Sequence, residues 1–131
     1  MLQKTIRCFL ICVSLLSLAF LIVGCGNGPS DADKDAAKAT VEKMLNSDTY
    51  DEFLECFSEE NQQGMRNSSL WRDNWENLKH NGKPVWAISG VGGSKEKVEI
   101  KTKHIYAPDT FRSYSLIKEN GKWVIHEIKL D

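Results

Sequence analysis

His104, Tyr106 and His126 are the side chains of this sequence best suited to move protons near neutral pH. His104 alternates with Thr102 and Tyr106, and His126 alternates with Val124, Ile128 and Leu130. Each histidine is therefore expected on the apolar face of an alternating segment. Two imidazoles and a phenol facing one cavity would suit a small-molecule enzyme of isomerase or hydrolase type. Such chemistry normally needs a carboxylate base as well. Glu127 alternates with Trp123 and Ile125, and Glu99 falls between lysines, so both are expected to face solvent. A histidine at a strand end or pocket rim is also commonly just a hydrogen-bonding group. No catalytic role is assigned on this pattern; His104, His126 and Tyr106 stand only as candidates. Neither histidine has a third histidine or a carboxylate at ligand spacing, so no metal and no cofactor are expected.

A binding reading draws on the aromatic residues. Tyr50, Trp71, Trp75, Tyr106, Tyr114 and His126 are the expected ligand-contacting set, on one face between helices and sheet. Trp71 and Trp75 are one helical turn apart, a spacing that serves a core as readily as a ligand. Cys56 lies between Leu54 and Phe57 in an apolar helical pattern and is expected to be a buried, inert thiol.

The chain has 131 residues, 17 basic and 18 acidic side chains and four cysteines. Its first residues read as a targeting segment. Lys4 and Arg7 precede an apolar run from Cys8 to Val23, which closes on Ile22-Val23-Gly24-Cys25. The run is short for a membrane span of about 20 residues, and no basic stop signal follows it. Removing residues 1–24 leaves 107 residues with 15 of the 17 basic side chains and all 18 acidic ones, a net charge of −3. That size suits one domain. The charge gives no sign of nucleic-acid binding, which shows as a basic surplus. Cys8 and Cys12 lie in the removed segment, so the mature domain has too few thiols for an internal disulfide or a cysteine metal site.

The elements that must position these side chains follow from periodicity. Residues 25–35 carry Gly-Asn-Gly-Pro and three aspartates and are expected to form a flexible tether. Ala37, Val41, Met44 and Leu45 recur at helical spacing. Thr49 opens a second helix, with Glu52 completing a capping box. Ser58 caps a short continuation expected to end at Gly64, and a third helix starts at Ser68 or Ser69. His80-Asn81-Gly82-Lys83-Pro84 is read as its stop. The period then changes to two. Val85–Gly90, Glu96–Tyr106, Thr110–Lys118 and Trp123–Leu130 are expected strands, with turns at Gly92-Gly93 and Asn120-Gly121. On the second strand Val98, Ile100, Thr102, His104 and Tyr106 share one face and Lys97, Glu99, Lys101 and Lys103 the other. The sheet is thus covered on one side only. Helices first and a four-stranded antiparallel meander after them make the fold class α+β.

Two resemblances add to this reading. Ile22-Val23-Gly24-Cys25 resembles the bacterial lipobox. That resemblance implies a signal peptide over 1–24 and cleavage after Gly24. It also implies lipidation of Cys25, with diacylglyceryl and an acyl chain such as palmitate, and a cell-membrane location on the extracytoplasmic side. Two or three acyl chains, at about 0.8 kcal/mol per buried methylene, hold a protein durably. The second resemblance rests on the helix pair Ala36–Asn46 and Thr49–Phe57, on Ser58-Glu59-Glu60, and on the ending Ser115-Leu116-Ile117-Lys118-Glu119-Asn120-Gly121-Lys122-Trp123-Val124-Ile125. These resemble the cystatin-like cone of small secreted members of the nuclear transport factor 2-like superfamily. The resemblance implies one domain over 36–131, with helices on a curved four-stranded sheet. Superfamily members include isomerases, dehydratases, carriers and assembly domains, so fold does not select an activity.

The expected protein is a lipid-anchored lipoprotein carrying a non-catalytic ligand-binding or protein-assembly domain. The alternative is a small-molecule enzyme using His104 and His126. Its expected partners are the lipid bilayer, through acylated Cys25, and a small ligand or protein. The mixed Lys and Glu face of the sheet argues against a dry interface, so a monomer or weak dimer is expected.

Overall fold

A computed structural model describes residues 28–130 of the chain. The signal segment, Cys25 and Asp131 lie outside the described residues. Helix α1 spans Asp31–Asn46, α2 Tyr50–Glu55, α3 Glu59–Met65 and α4 Ser69–Glu76. Each begins on a hydroxyl N-cap. Ser30, Thr49, Ser58 and Ser68 accept the backbone N–H of Asp33, Glu52, Asn61 and Trp71 respectively, which satisfies donors that a helix start leaves unpaired. Glu52 reaches back to the N–H of Asp48 at 2.9 Å rather than to that of Thr49. Helix α1 begins inside the stretch expected to be tether, because Ser30 caps it and Asp31 and Asp33 sit in its first turn, where the helix dipole favours acids. Gly64 lies within α3 instead of ending it; Arg66 is the C-cap.

Among the described residues six strands follow: β1 Lys79–His80, β2 Lys83–Pro84, β3 Trp86–Gly93, β4 Lys97–His104, β5 Phe111–Glu119 and β6 Lys122–Leu130. The stretch expected only to stop a helix is a small hairpin, β1 against β2. Asn81 and Gly82 carry its turn at φ 53° and 76°, and Asn120 and Gly121 repeat the geometry between β5 and β6 at 51° and 78°. Positive φ at both central residues matches hairpin twist, which explains the Asn-Gly pair in each. Strand β3 runs through Gly92-Gly93, and the turn to β4 is formed by the following residues, with Ser94 N–H bonded to Lys97 O at 2.8 Å.

The main sheet is an antiparallel meander in the order β3-β4-β5-β6. The expected α+β order holds. Helix α1 crosses one face, touching β3, β4 and β6. Ala37, Val41, Met44 and Leu45 meet Phe53, Leu54 and Phe57 there, over Val98, Ile100, Tyr114, Leu116 and Ile125. At β6 the segment Cys56–Ser58 adds a short parallel bridge: Ile125 N–H donates to Cys56 O and Ser58 N–H to Ile125 O, at 2.8 and 2.9 Å. The β6 side of the sheet is thereby tied to the end of α2.

The last strand departs from its expected face. Ser115 pairs with Glu127 but Leu116 pairs with Ile125, so His126 is an extra residue in a bulge. The bulge inverts the alternation. Trp123 and Ile125 face the helices before it, and Ile128 does so after it. Val124 therefore belongs to the opposite face, and Leu130 is 74% exposed rather than under the helices. Ile125→Ala is expected to cost about 2–5 kcal/mol by leaving a core cavity. Leu130→Ala should stay within about 0.5 kcal/mol. Urea denaturation of the two variants measures the difference.

Candidate functional site

Aromatic side chains fill the space between helices and sheet. Tyr50 and Phe53 stack with ring centroids 5.7 Å apart, and Phe53 meets Phe57 at 4.9 Å. The Tyr50 hydroxyl donates to Met65 O, and the Trp75 indole N–H donates to Ser47 Oγ at 3.1 Å. Tyr114 is buried. Tyr50 and Tyr114, expected to line a cavity, are core residues, and Trp75 covers the core beside Tyr50, with ring centroids 5.8 Å apart. Open space lies at the ends of this core.

The first cleft encloses about 510 Å³ between α3, α4 and β6. Phe57, Met65, Trp71 and Ile128 form its apolar walls, and Glu60, Asn61, His126 and Glu127 supply polar groups. Trp71 is held edge-on to Phe57 at 6.2 Å. The bulge presents His126 here, and Asn61 Nδ2–H fixes the local backbone by donating to His126 O at 2.7 Å. His126 Nδ1 lies 3.5 Å from Ser58 Oγ. This contact is not a nucleophile dyad. Ser58 is 1% exposed and its hydroxyl oxygen caps α3, so it cannot reach a substrate carbonyl.

A second cleft of about 540 Å³ holds His104 and Tyr106 together with Lys79, His80 and Val85. His104 Nδ1 accepts the Tyr106 N–H at 3.2 Å, and its ring meets Trp86 edge-on at 4.9 Å. Tyr106, 69% exposed, stands edge-on to His80 at 6.4 Å. The helix-stop reading of its segment gives His80 no place in a site; the Asn81-Gly82 pair after it is the sequence signal of the hairpin that places it. The structure thus brings His104 together with Tyr106 and His80, and separately brings His126 together with Trp71. His104 and His126 share no cleft.

A third cleft, about 680 Å³, runs from α1 to the β5–β6 turn past Cys56. Burial pushes the Cys56 thiol up to about 11, with Lys43 opposing the shift. The thiol is expected to resist iodoacetamide at pH 8 in the folded protein and to react once the protein is unfolded, as read by mass spectrometry.

Among the described residues, the groups whose protonation the fold clearly shifts move away from neutrality. Burial raises Cys56, Tyr50 and Tyr114. The Glu55 carboxylate raises Lys43. The Ser30 hydroxyl, then the Trp123 indole, hold Asp33 below the usual carboxylate range, and Lys97 does the same for Glu127. Poised acids and bases shift the other way. Among the described residues no group of three metal-ligating side chains converges, and no helix is long and apolar enough to cross a membrane.

No protein-family model and no curated protein matches the sequence. The structure is similar to that of a protein of unknown function with a cystatin-like fold from Nostoc punctiforme. The two are 14% identical, with a TM-score of 0.47, over 79% of this chain and 94% of that one. That degree of likeness carries no functional argument.

Proposed function

We propose that this protein is a lipoprotein, anchored in the cell membrane through acylated Cys25 and facing the extracytoplasmic side. Its domain is read as a cystatin-like cone of the nuclear transport factor 2-like kind that binds a small ligand without transforming it. The observation that carries binding over catalysis is the cleft beside Trp71. It joins an apolar wall to a few polar groups, as ligand sites do, while its serine–histidine contact is spent on a helix cap. Apolar walls with Glu60 at the rim favour a small apolar or aromatic molecule bearing a hydrogen-bond donor or a positive charge. The alternative enzyme of isomerase or hydrolase type would need His104 and His126 at one substrate, and they line different clefts.

Mass spectrometry of the mature protein from its host tests the anchor; an uncleaved signal or an unmodified Cys25 overturns it. Native mass spectrometry of the same material tests the cleft. The expected result is a bound small molecule that Trp71→Ala loses while keeping its thermal transition. Retention of the same molecule by Trp71→Ala overturns this cleft as the site.

A further inference from the structure

The second cleft differs from the one beside Trp71 in its charge. Its walls are Asn77, the C-cap of α4, the small hairpin at Lys79, His80 and Asn81, the connection at Val85, and the end of β4 at His104 and Tyr106. Two backbone bonds lock these walls together: Val85 N–H donates to Leu78 O and Ile105 N–H to Val85 O, each at 2.9 Å. Among the described residues no carboxylate lines this cleft. Asp48 and Glu76 line a neighbouring one instead, with Ser47, Trp75 and Gly82, and Asp109 lies in the loop beyond Tyr106. The cleft beside Trp71, by contrast, carries Glu60 and Glu127.

The hydrogen bonds already made leave donors over. Lys79 Nζ donates to Asn46 O at 2.8 Å and to Asp48 Oδ1 at 3.0 Å, which uses two of its three N–H groups. Asn77 Nδ2 gives one of its two hydrogens to Asp73 O at 2.8 Å. A backbone N–H can only donate. The Tyr106 N–H therefore keeps His104 Nδ1 bare and leaves the proton of the neutral ring on Nε2. His80, Asn81 and the Tyr106 hydroxyl add further donors. Lys83 pairs with His80 across the hairpin and so shares its face. Its ammonium has no ion-pair partner among the described residues. Donors left over on several walls, beside an uncompensated positive charge, are the complement of an oxyanion.

We propose that this cleft binds the phosphate group of a small phosphate monoester. A monoester presents three acceptor oxygens and a charge of about −2 near neutral pH, whereas a carboxylate presents two oxygens in one plane. Donors spread over α4, the hairpin and β4 match the former. The volume, about 540 Å³, is that of a small-molecule site and leaves room for an organic body beyond the phosphate. Val85 and the Tyr106 ring, which His80 and His104 meet edge-on at 6.4 and 6.1 Å, give that body an apolar and aromatic contact. Glu60 and Glu127 repel the same ligand from the cleft beside Trp71.

Isothermal titration calorimetry of the full chain in a neutral detergent, at about pH 7.5 where the ester is dianionic, tests the proposal with phenyl phosphate, inorganic phosphate and benzoate. Phenyl phosphate is expected to bind about tenfold or more tightly than benzoate, and more tightly than inorganic phosphate. His80→Ala and Lys83→Ala change exposed positions of the hairpin and are each expected to weaken phenyl phosphate about fivefold or more. His104→Phe keeps a ring against Trp86 without the Nε2–H, and its folded form should weaken binding likewise. Lys95→Ala removes an exposed ammonium at the turn between β3 and β4 and should leave the affinity within about twofold. None of these substitutions touches the cleft beside Trp71, so the result is independent of that site. Absence of phenyl phosphate binding overturns the proposal. So does benzoate or inorganic phosphate binding as tightly as phenyl phosphate, undiminished binding in both hairpin variants, or an equal loss in Lys95→Ala.

Discussion

Deleting residues 123–131 is expected to abolish cooperative folding, even though they lie at the far end of the chain from Cys25. The deletion removes Trp123, Val124 and Ile125, all buried, and the Ile125 bridge that holds the Cys56–Ser58 segment. It also removes the seat of α1. The Trp123 indole N–H donates to Asp33 at 3.1 Å, and Thr40 Oγ1–H donates to Trp123 O at 2.9 Å. Losing one large core side chain costs about 2–5 kcal/mol, and a small domain has about 5–15 in total. A truncated chain that keeps a single sharp thermal transition by circular dichroism would show that β6 is peripheral.

The second large effect is expected at Gly93. Its φ is 103°, and a Cβ built there would sit 2.1 Å from the Lys97 carbonyl oxygen and 3.0 Å from Glu99 N. Both atoms are backbone, so neither can swing aside. Gly93→Ala should therefore cost about 3 kcal/mol or more, joining backbone strain to overlap. Gly82 has a similarly positive φ of 76° but open space around its Cβ position. Gly82→Ala should cost only about 1–2 kcal/mol, the conformational part alone. Equal urea midpoints for the two variants would refute the steric argument.

These positions show what the sequence could reveal. Among the described residues, hydroxyls before helical periods mark the starts of α2, α3 and α4, because capping needs a side-chain oxygen at one defined place, while Ser30, the cap of α1, lies in the stretch expected to be tether. Asn120-Gly121 marked a hairpin because few other pairs accept positive φ twice. Asn81-Gly82 carried the same mark, but strands of two residues have no alternation to flank it, so the hairpin and His80 went unseen. The His126 bulge left no local trace. Val124, His126, Ile128 and Leu130 alternate without a break, and one extra residue reverses which of them face the core. Register separates the histidines: His126 lies level with Ser115 and Leu116, which pair with Glu99 and Val98, while His104 ends β4 at its other end. The filled interior was likewise not legible: the same aromatic residues could line a cavity or close it, and side-chain volume packed in three dimensions decides.

The link between α1 and β6 has a consequence for the order of events in synthesis. Each main strand pairs with its neighbour in sequence, so the sheet closes only short loops. The helices close long loops onto β6, and α1 reaches farthest, to Trp123 from Thr40 and Asp33 across separations of 83 and 90 residues. A chain made from its N-terminus therefore produces this helix well before β6, the strand that completes its docking surface. Until β6 emerges, Ala37, Val41, Met44 and Leu45 lack their full burial, and the half-made chain carries an apolar stripe that invites aggregation. Folding of the domain is thus gated by completion of its C-terminal strand, and the interval before that strand appears is when the chain is most in need of a chaperone.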